Sequence, residues 1–196
     1  MTTLFVAMDH NYGLLASDTR TTYNINSEQF GDFTITEDRP VGKVFAIGPE
    51  ILIATSGNRD NNLDYFQQLL SDLDGLTPRK VAENFISFNE ANYQFYNSKN
   101  FAFVLGKESG NLVFYSLFSK DGGPYQINKT FAEHNKRRAA TTARLPAGWP
   151  EIIKNMTYKQ AAAKAIQMAS ENPENCSSAI PYAWILPRDG KVYRIL

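Results

Sequence analysis

The chain of 196 residues is poor in the side chains that build metal, disulfide and redox sites: one cysteine, Cys176, and two histidines, His10 and His134. A single cysteine excludes an intramolecular disulfide and points to a reducing compartment. With so few soft ligands no metal-binding spacing exists, and no metal site is expected. No apolar run approaches the ~20 residues that cross a bilayer. The N-terminus lacks the basic stretch and apolar core of an export signal, so the expectation is a cytoplasmic protein away from membranes. Acidic and basic residues balance at 20 each, and no global field draws the chain to nucleic acid. The basic cluster Lys136-Arg137-Arg138, with Arg144 nearby, has no aromatic stacking set and reads as a solvated surface loop. No glycine-rich phosphate loop follows a strand, and no cofactor is expected.

What the chain does have is 10 tyrosines and 13 phenylalanines, which favour strands and a well-filled core. Its length fits one domain, 1–196, able to bury about 70% of its unfolded surface. No repeat, linker or low-complexity segment divides it. Leu4–Met8 and Leu14–Ser17, separated by Asp9-His10-Asn11-Tyr12-Gly13, predict a hairpin. Thr19–Arg39 is polar, with only short strand-like pieces such as Phe33–Thr36. Gly42–Ile47 and Ile51–Thr55 form a second apolar pair, turned at Gly48-Pro49-Glu50.

Two helices are then expected. Leu63, Phe66, Leu69, Leu70 and Leu73 recur at helical spacing before Gly75, and Thr77-Pro78 opens a second helix carrying Val81, Phe85 and Phe88. Strands at Phe101–Leu105 and Leu112–Phe118 turn around Glu108-Ser109-Gly110, and Asp121-Gly122-Gly123-Pro124 breaks the pattern. Gln126–Pro150 is hard to read. Thr157-Tyr158-Lys159-Gln160 matches a capping box ahead of the small-residue helix Ala161–Ala169, and Ala179–Leu186 with Val192–Leu196 closes the chain as a hairpin. Antiparallel strands with helices in blocks argue α+β: two facing sheets with helices outside.

The residues that could carry chemistry start with Thr2. Loss of Met1 would give it a nucleophilic hydroxyl and a free α-amine together, and a hydroxyl needs such an adjacent base. Asp18 ends the second strand of the first hairpin, where it can equally be a strand-end cap. Lys43, between Gly42 and Val44, is either on a solvent face or paired in a site. Gly57 can be a plain turn residue. Cys176 and His134 could pair, but no third orienting group is evident.

Thr2-Thr3, Ala16-Ser17-Asp18-Thr19-Arg20, Gly42-Lys43-Val44 and Thr55-Ser56-Gly57, at their spacing, resemble the marks of proteasome β-type subunits. Within that family the chain is most similar to the bacterial HslV-type and Anbu-type forms, and the Ser17–Thr21 run is especially like the Anbu type. The resemblance implies a four-layer αββα sandwich of two antiparallel sheets and a threonine-type N-terminal-nucleophile hydrolase. By it, Thr2 Oγ attacks a peptide or amide carbonyl and its α-amine, with a reference pKa of about 8, acts as base. Lys43 supplies positive charge beside Thr2, Asp18 holds the ammonium, and the Gly57 N–H faces the developing oxyanion. Glu174 and Ser177 match an aspartate–serine pair that supports the nucleophile, with Glu lengthening the arm.

A second supporting serine has no clear match, Ala139–Ala143 being the nearest segment. Thr22 would hydrogen-bond an extended substrate. Thr21, Thr55 and Arg59 would line the pocket before the scissile bond, although Arg59 can equally be a surface charge at a helix entry. The implied partners are a peptide or protein substrate, further copies of the chain in a ring or helical array, and an unfoldase of unknown identity. Two other readings stand: a catalytically inactive subunit kept for assembly, and acyl transfer to an amine in place of water.

Overall fold

In the computed structural model, residues 2–27, 31–38, 43–71, 74–96, 100–119, 124–175 and 177–196 are described. Met1, Gly42, Leu73, Asp121–Gly123 and Cys176, named above, lie outside them, as do the side chains of Thr22 and Arg59.

The first hairpin forms as β1 (Leu4–Met8) and β2 (Tyr12–Asp18), in register from Leu4 opposite Ser17 to Met8 opposite Gly13. All five residues of β1 are buried. The strand reads as a continuous apolar run because both faces are covered. Leu4, Val6 and Met8 point into one cluster, Phe5 and Ala7 into another.

The strands β3 (Arg20–Ser27) and β4 (Gly31–Asp38) pair only with each other among the described residues. They correct the expectation of short pieces over Thr19–Arg39. Thr22, Tyr23 and Ile25 lie opposite Thr36, Ile35 and Phe33; the apolar alternation is only two residues long on each strand, between polar neighbours, so the hydropathy pattern misses the hairpin.

The second sheet has the order β5 (Val44–Ala46), β6 (Ile51–Ser56), β7 (Phe101–Glu108), β8 (Asn111–Ser119), β9 (Tyr125–Phe131). The β7–β8 turn carries Ser109 at φ 49° and Gly110 at φ 77°, the paired positive values of a two-residue hairpin turn. In the first sheet, β10 (Arg138–Thr141), β11 (Pro181–Pro187) and β12 (Tyr193–Arg194) complete the order β10-β1-β2-β11-β12. The difficult stretch from Gln126 to Pro150 thus holds two edge strands, largely exposed and without the apolar alternation that marks an inner strand.

Helices cover both outer faces. Against the second sheet lie α1 (Arg59–Leu70) and α2 (Pro78–Tyr96), the latter capped by Thr77 Oγ1 accepting from Lys80 N at 3.2 Å. Phe66 and Leu69 of α1 are buried with Tyr65, whereas Leu63 is 45% and Leu70 56% exposed. The leucine periodicity therefore overstated the core face of this helix. Tyr65 meets Phe85 edge-on at 5.2 Å and donates to Val81 O at 3.1 Å, and burial raises its phenol pKa.

Against the first sheet lie α3 (Trp149–Ile153) and α4 (Tyr158–Ser170), the latter opened by the Thr157–Gln160 capping box. The clusters beneath α1/α2, between the sheets and beneath α4 make the α-β-β-α layering explicit: an α+β sandwich. Arg137 is no solvated charge: it donates to Met156 O at 2.7 Å, just beyond α3, and stacks on Tyr158. No helix among the described residues is long and apolar enough to cross a membrane.

Candidate active site

Thr2 precedes β1 and Asp18 ends β2, so antiparallel pairing places them at the same end of one sheet. The Asp18 amide donates to Thr3 O at 3.1 Å and the Thr3 amide to Asp18 Oδ1 at 3.3 Å. Lys43 comes from the facing sheet: it precedes β5, and its carbonyl accepts from Thr55 N at 3.1 Å in the ladder with β6. Its own amide donates to Ser17 Oγ at 2.9 Å, tying the two sheets together.

The ammonium is the hub. Lys43 Nζ donates to Thr2 Oγ1 at 2.7 Å, to Asp18 Oδ1 at 3.2 Å, and to the Arg20 carbonyl. These three acceptors match its three N–H bonds. The Asp18 side chain is only 1% exposed, against 21% for Lys43. A buried carboxylate needs partners on both oxygens. Oδ1 receives Lys43 and the Thr3 amide, and Oδ2 receives the Ser178 amide at 3.3 Å. An ammonium that donates to Thr2 Oγ1 leaves the hydroxyl proton free to leave in another direction, and it stabilises the alkoxide that results.

Two hydroxyl residues hold this arrangement that sequence reasoning did not assign. Thr142 Oγ1 donates to Thr2 O at 3.1 Å and accepts from Leu4 N at 2.9 Å, bracketing the backbone around Thr2. It lies within Ala139–Ala143, the weak match for a supporting loop. Ser178 Oγ accepts from Thr19 N at 3.3 Å and lies 3.1 Å from Thr19 Oγ1. The only signal for Ser178 was its adjacency to Ser177.

Ser177 itself is buried, and its Oγ donates to the Ser178 carbonyl at 3.4 Å; among the described residues no hydrogen bond joins its side chain to Thr2, Lys43 or Asp18. Glu174 sits in a short 3-10 turn, Pro173–Asn175, with its side chain 62% exposed, and accepts from Arg144 at 2.5 Å. The structure directs its carboxylate to Arg144 and water, not to Thr2. Asn175 supplies the link instead: its amide group donates to Arg144 O and Ala169 O, both at 3.0 Å.

Thr55 is buried next to Lys43 in the ladder, and Thr21 is half-buried in β3. The backbone of Thr22 pairs with Thr36, and that of Arg59 begins α1. Gly57 follows β6 at the Lys43 end of the sheet, exposed and at φ 123°. A Cβ there would lie 1.9 Å from Asn100 Oδ1, so only glycine fits. His134 stacks with His10, their rings 5.1 Å apart, at the opposite end of β1 from Thr2. Among the described residues no group of three or more His, Cys, Asp or Glu side chains gathers to hold a metal.

Two five-stranded antiparallel sheets with helices on both outer faces form an α+β sandwich. Among solved structures the chain is similar to Anbu (ancestral beta-subunit) from Yersinia bercovieri, with a TM-score of 0.63 at 15% sequence identity, over 98% of this chain and 86% of that one. No protein-family model and no curated protein sequence matches the chain.

Proposed function

We propose that the protein is a threonine-type N-terminal-nucleophile hydrolase that cleaves peptide or amide bonds through an acyl-enzyme on Thr2, once Met1 is removed. The observation that carries this reading is the Lys43 ammonium joining Thr2 Oγ1 at 2.7 Å to the buried Asp18 carboxylate at 3.2 Å. A lysine placed so serves no packing purpose that a leucine would not serve better.

Thr2 Oγ adds to the substrate carbonyl while its proton passes to the α-amine. The carbonyl electron pair moves to oxygen, where the Gly57 N–H and the positive end of α1 meet the charge. Collapse expels the leaving amine, which takes the proton from the α-amine and leaves an ester on Thr2. Water then repeats the sequence and releases the acid. Asp18 keeps the ammonium in place, and Thr142 fixes the backbone from which the nucleophile projects. Thr21, Thr22, Thr55 and Arg59 are the proposed substrate contacts; Glu174 and Ser177 act at most through the loop they belong to.

A β-lactone probe tests the reading, since it esterifies an N-terminal threonine. Mass spectrometry of the wild type is expected to show Met1 lost and the adduct on Thr2, with no adduct on Thr2→Ala. A retained Met1 and no adduct would refute it. Exposed Leu63 and Leu70, seven residues apart on α1, favour in addition a homo-oligomeric assembly. Such an assembly is also what an inactive subunit would retain. Sedimentation of wild type and Thr2→Ala separates the readings: assembly with no adduct in either leaves the scaffold reading.

A further inference from the structure

Behind Gly57 lies a cluster of asparagines that neither the catalytic group nor the core requires. Asn61 on α1, Asn89 on α2 and Asn100 just before β7 are all buried, Asn100 completely. They close a ring with Asn58, the N-cap of α1. The Asn58 amide donates to Asn100 Oδ1 at 2.8 Å, and Asn58 Oδ1 accepts from Asn61 N at 3.0 Å. Asn61 Nδ2 donates to Asn89 Oδ1 at 2.6 Å, and Asn100 Nδ2 donates to the same oxygen at 2.5 Å. Asn89 is itself anchored, its Nδ2 donating to Phe85 O at 2.8 Å.

Burying three amide side chains is costly unless all their groups are paired, and here Asn61 Oδ1 has no partner. Apolar residues between α1, α2 and β7 would stabilise the fold more. The ring has one geometric product. It fixes the peptide plane entering Asn58, and Asn100 Oδ1 fills the space where any residue but glycine at 57 would carry a Cβ. Asn100 thus fixes the peptide plane that follows Gly57 and fills the space behind its Cα, which limits the rotation that orients the Gly57 N–H. Asn100 is in turn held by Asn89 of α2, whose oxygen Asn61 of α1 also engages.

We propose that Asn100, held by Asn89 and Asn61, is a positioning residue that aims the Gly57 N–H at the oxyanion. The inference rests on the hydrolase reading given above. A donor displaced by about 1 Å loses on the order of 10²-fold in rate without loss of substrate binding. The ring acts through the backbone of Gly57 and touches no substrate.

The test is the kinetics of β-lactone acylation of Thr2 in full-length protein, resolved into a binding constant and a maximal rate. In Asn100→Ala the maximal rate is expected to fall on the order of 10²-fold with the binding constant unchanged. Asn100→Asp adds a signature that a purely structural role would not produce. As a neutral acid it still accepts from Asn58 and donates to Asn89. As a carboxylate it repels Asn89 Oδ1 and the oxyanion alike. Its rate relative to wild type therefore rises as the pH is lowered from about 8 to about 6, where a buried carboxyl regains its proton. Wild-type rates in Asn100→Ala, or equal losses in rate and binding, overturn the proposal. If Asn100→Ala does not fold, a pH-independent ratio for Asn100→Asp overturns it. A wild type that does not acylate at Thr2 removes the hydrolase reading itself, a result distinct from all of these.

Discussion

Replacing Lys43 by methionine keeps most of the side-chain volume and removes the charge. Asp18, 1% exposed, would retain the Thr3 and Ser178 amides but lose its only ammonium partner among the described residues. Removing one member of a buried pair costs about 3–5 kcal/mol. Lys43 is 21% exposed, so water already reaches part of the ammonium, and the lower end, about 3 kcal/mol, is expected. At about 2–4 °C per kcal/mol for a chain of this size, the midpoint of melting should fall by about 6–12 °C. Asp18→Asn in the same chain removes the stranded charge. The double variant should therefore be more stable than the sum of the singles predicts, by at least about 1.5 kcal/mol in urea unfolding with unchanged m-value. Neither Lys43→Met nor the double variant should acylate at Thr2, because stability returns without the ammonium that the hydroxyl needs. Additivity within about 0.5 kcal/mol would refute the bridge as an energetic unit.

Gly57→Ala should abolish acylation and destabilise by about 1–3 kcal/mol, since φ 123° and the 1.9 Å approach of Asn100 Oδ1 both exclude a Cβ; thermal melts and probe labelling check it. Ser178→Ala removes the hydroxyl bonded to Thr19 and should cost about 1 kcal/mol in urea unfolding, more than Ser177→Ala, whose hydroxyl reaches only its neighbour's carbonyl. Thr142→Val, nearly isosteric, leaves Leu4 N and Thr2 O without their shared partner. It should cost about 2 kcal/mol and slow Thr2 labelling, and an unchanged labelling rate would show that the bracket does not position the nucleophile.

The sandwich was legible in the sequence where both faces of a strand are buried. Leu4–Met8, Ile51–Thr55 and Phe101–Leu105 announce themselves as apolar runs, and Thr77-Pro78 and Thr157–Gln160 announce two helix starts. The edge strands β9 and β10 and the β3–β4 hairpin do not, because their apolar alternation is short or broken by polar residues. The Thr2–Asp18–Lys43 group was readable through the family resemblance: Thr2 and Asp18 flank one predicted hairpin, and Lys43 falls in the predicted run Gly42–Ile47. The supporting groups were not. Thr142 and Ser178 act across 140 and 160 positions, and composition does not tell which of two adjacent serines places its amide on Asp18. The surroundings of Glu174 were hidden for the same reason: Arg144, 30 positions away, binds its carboxylate.

Thr2 and Asp18 belong to one sheet, while Lys43 and Gly57 belong to the other. The hydrogen bonds of Lys43 therefore depend on the spacing between the sheets. At the opposite end the sheets are stitched by Lys107 Nζ donating to Gly190 O at 2.6 Å and Val192 N donating to Pro49 O at 2.8 Å. Between the ends the spacing is set by side chains such as Leu105, whose methyl carbons lie 2.7–2.8 Å from where a Cβ on Gly13 would stand. Lys43 is long enough to bridge whatever gap remains at the open end, but only one gap leaves Nζ within reach of Thr2 Oγ1, Asp18 Oδ1 and the Arg20 carbonyl together. A lysine crossing between layers thus makes packing in the inter-sheet core a determinant of the Thr2–Lys43–Asp18 geometry.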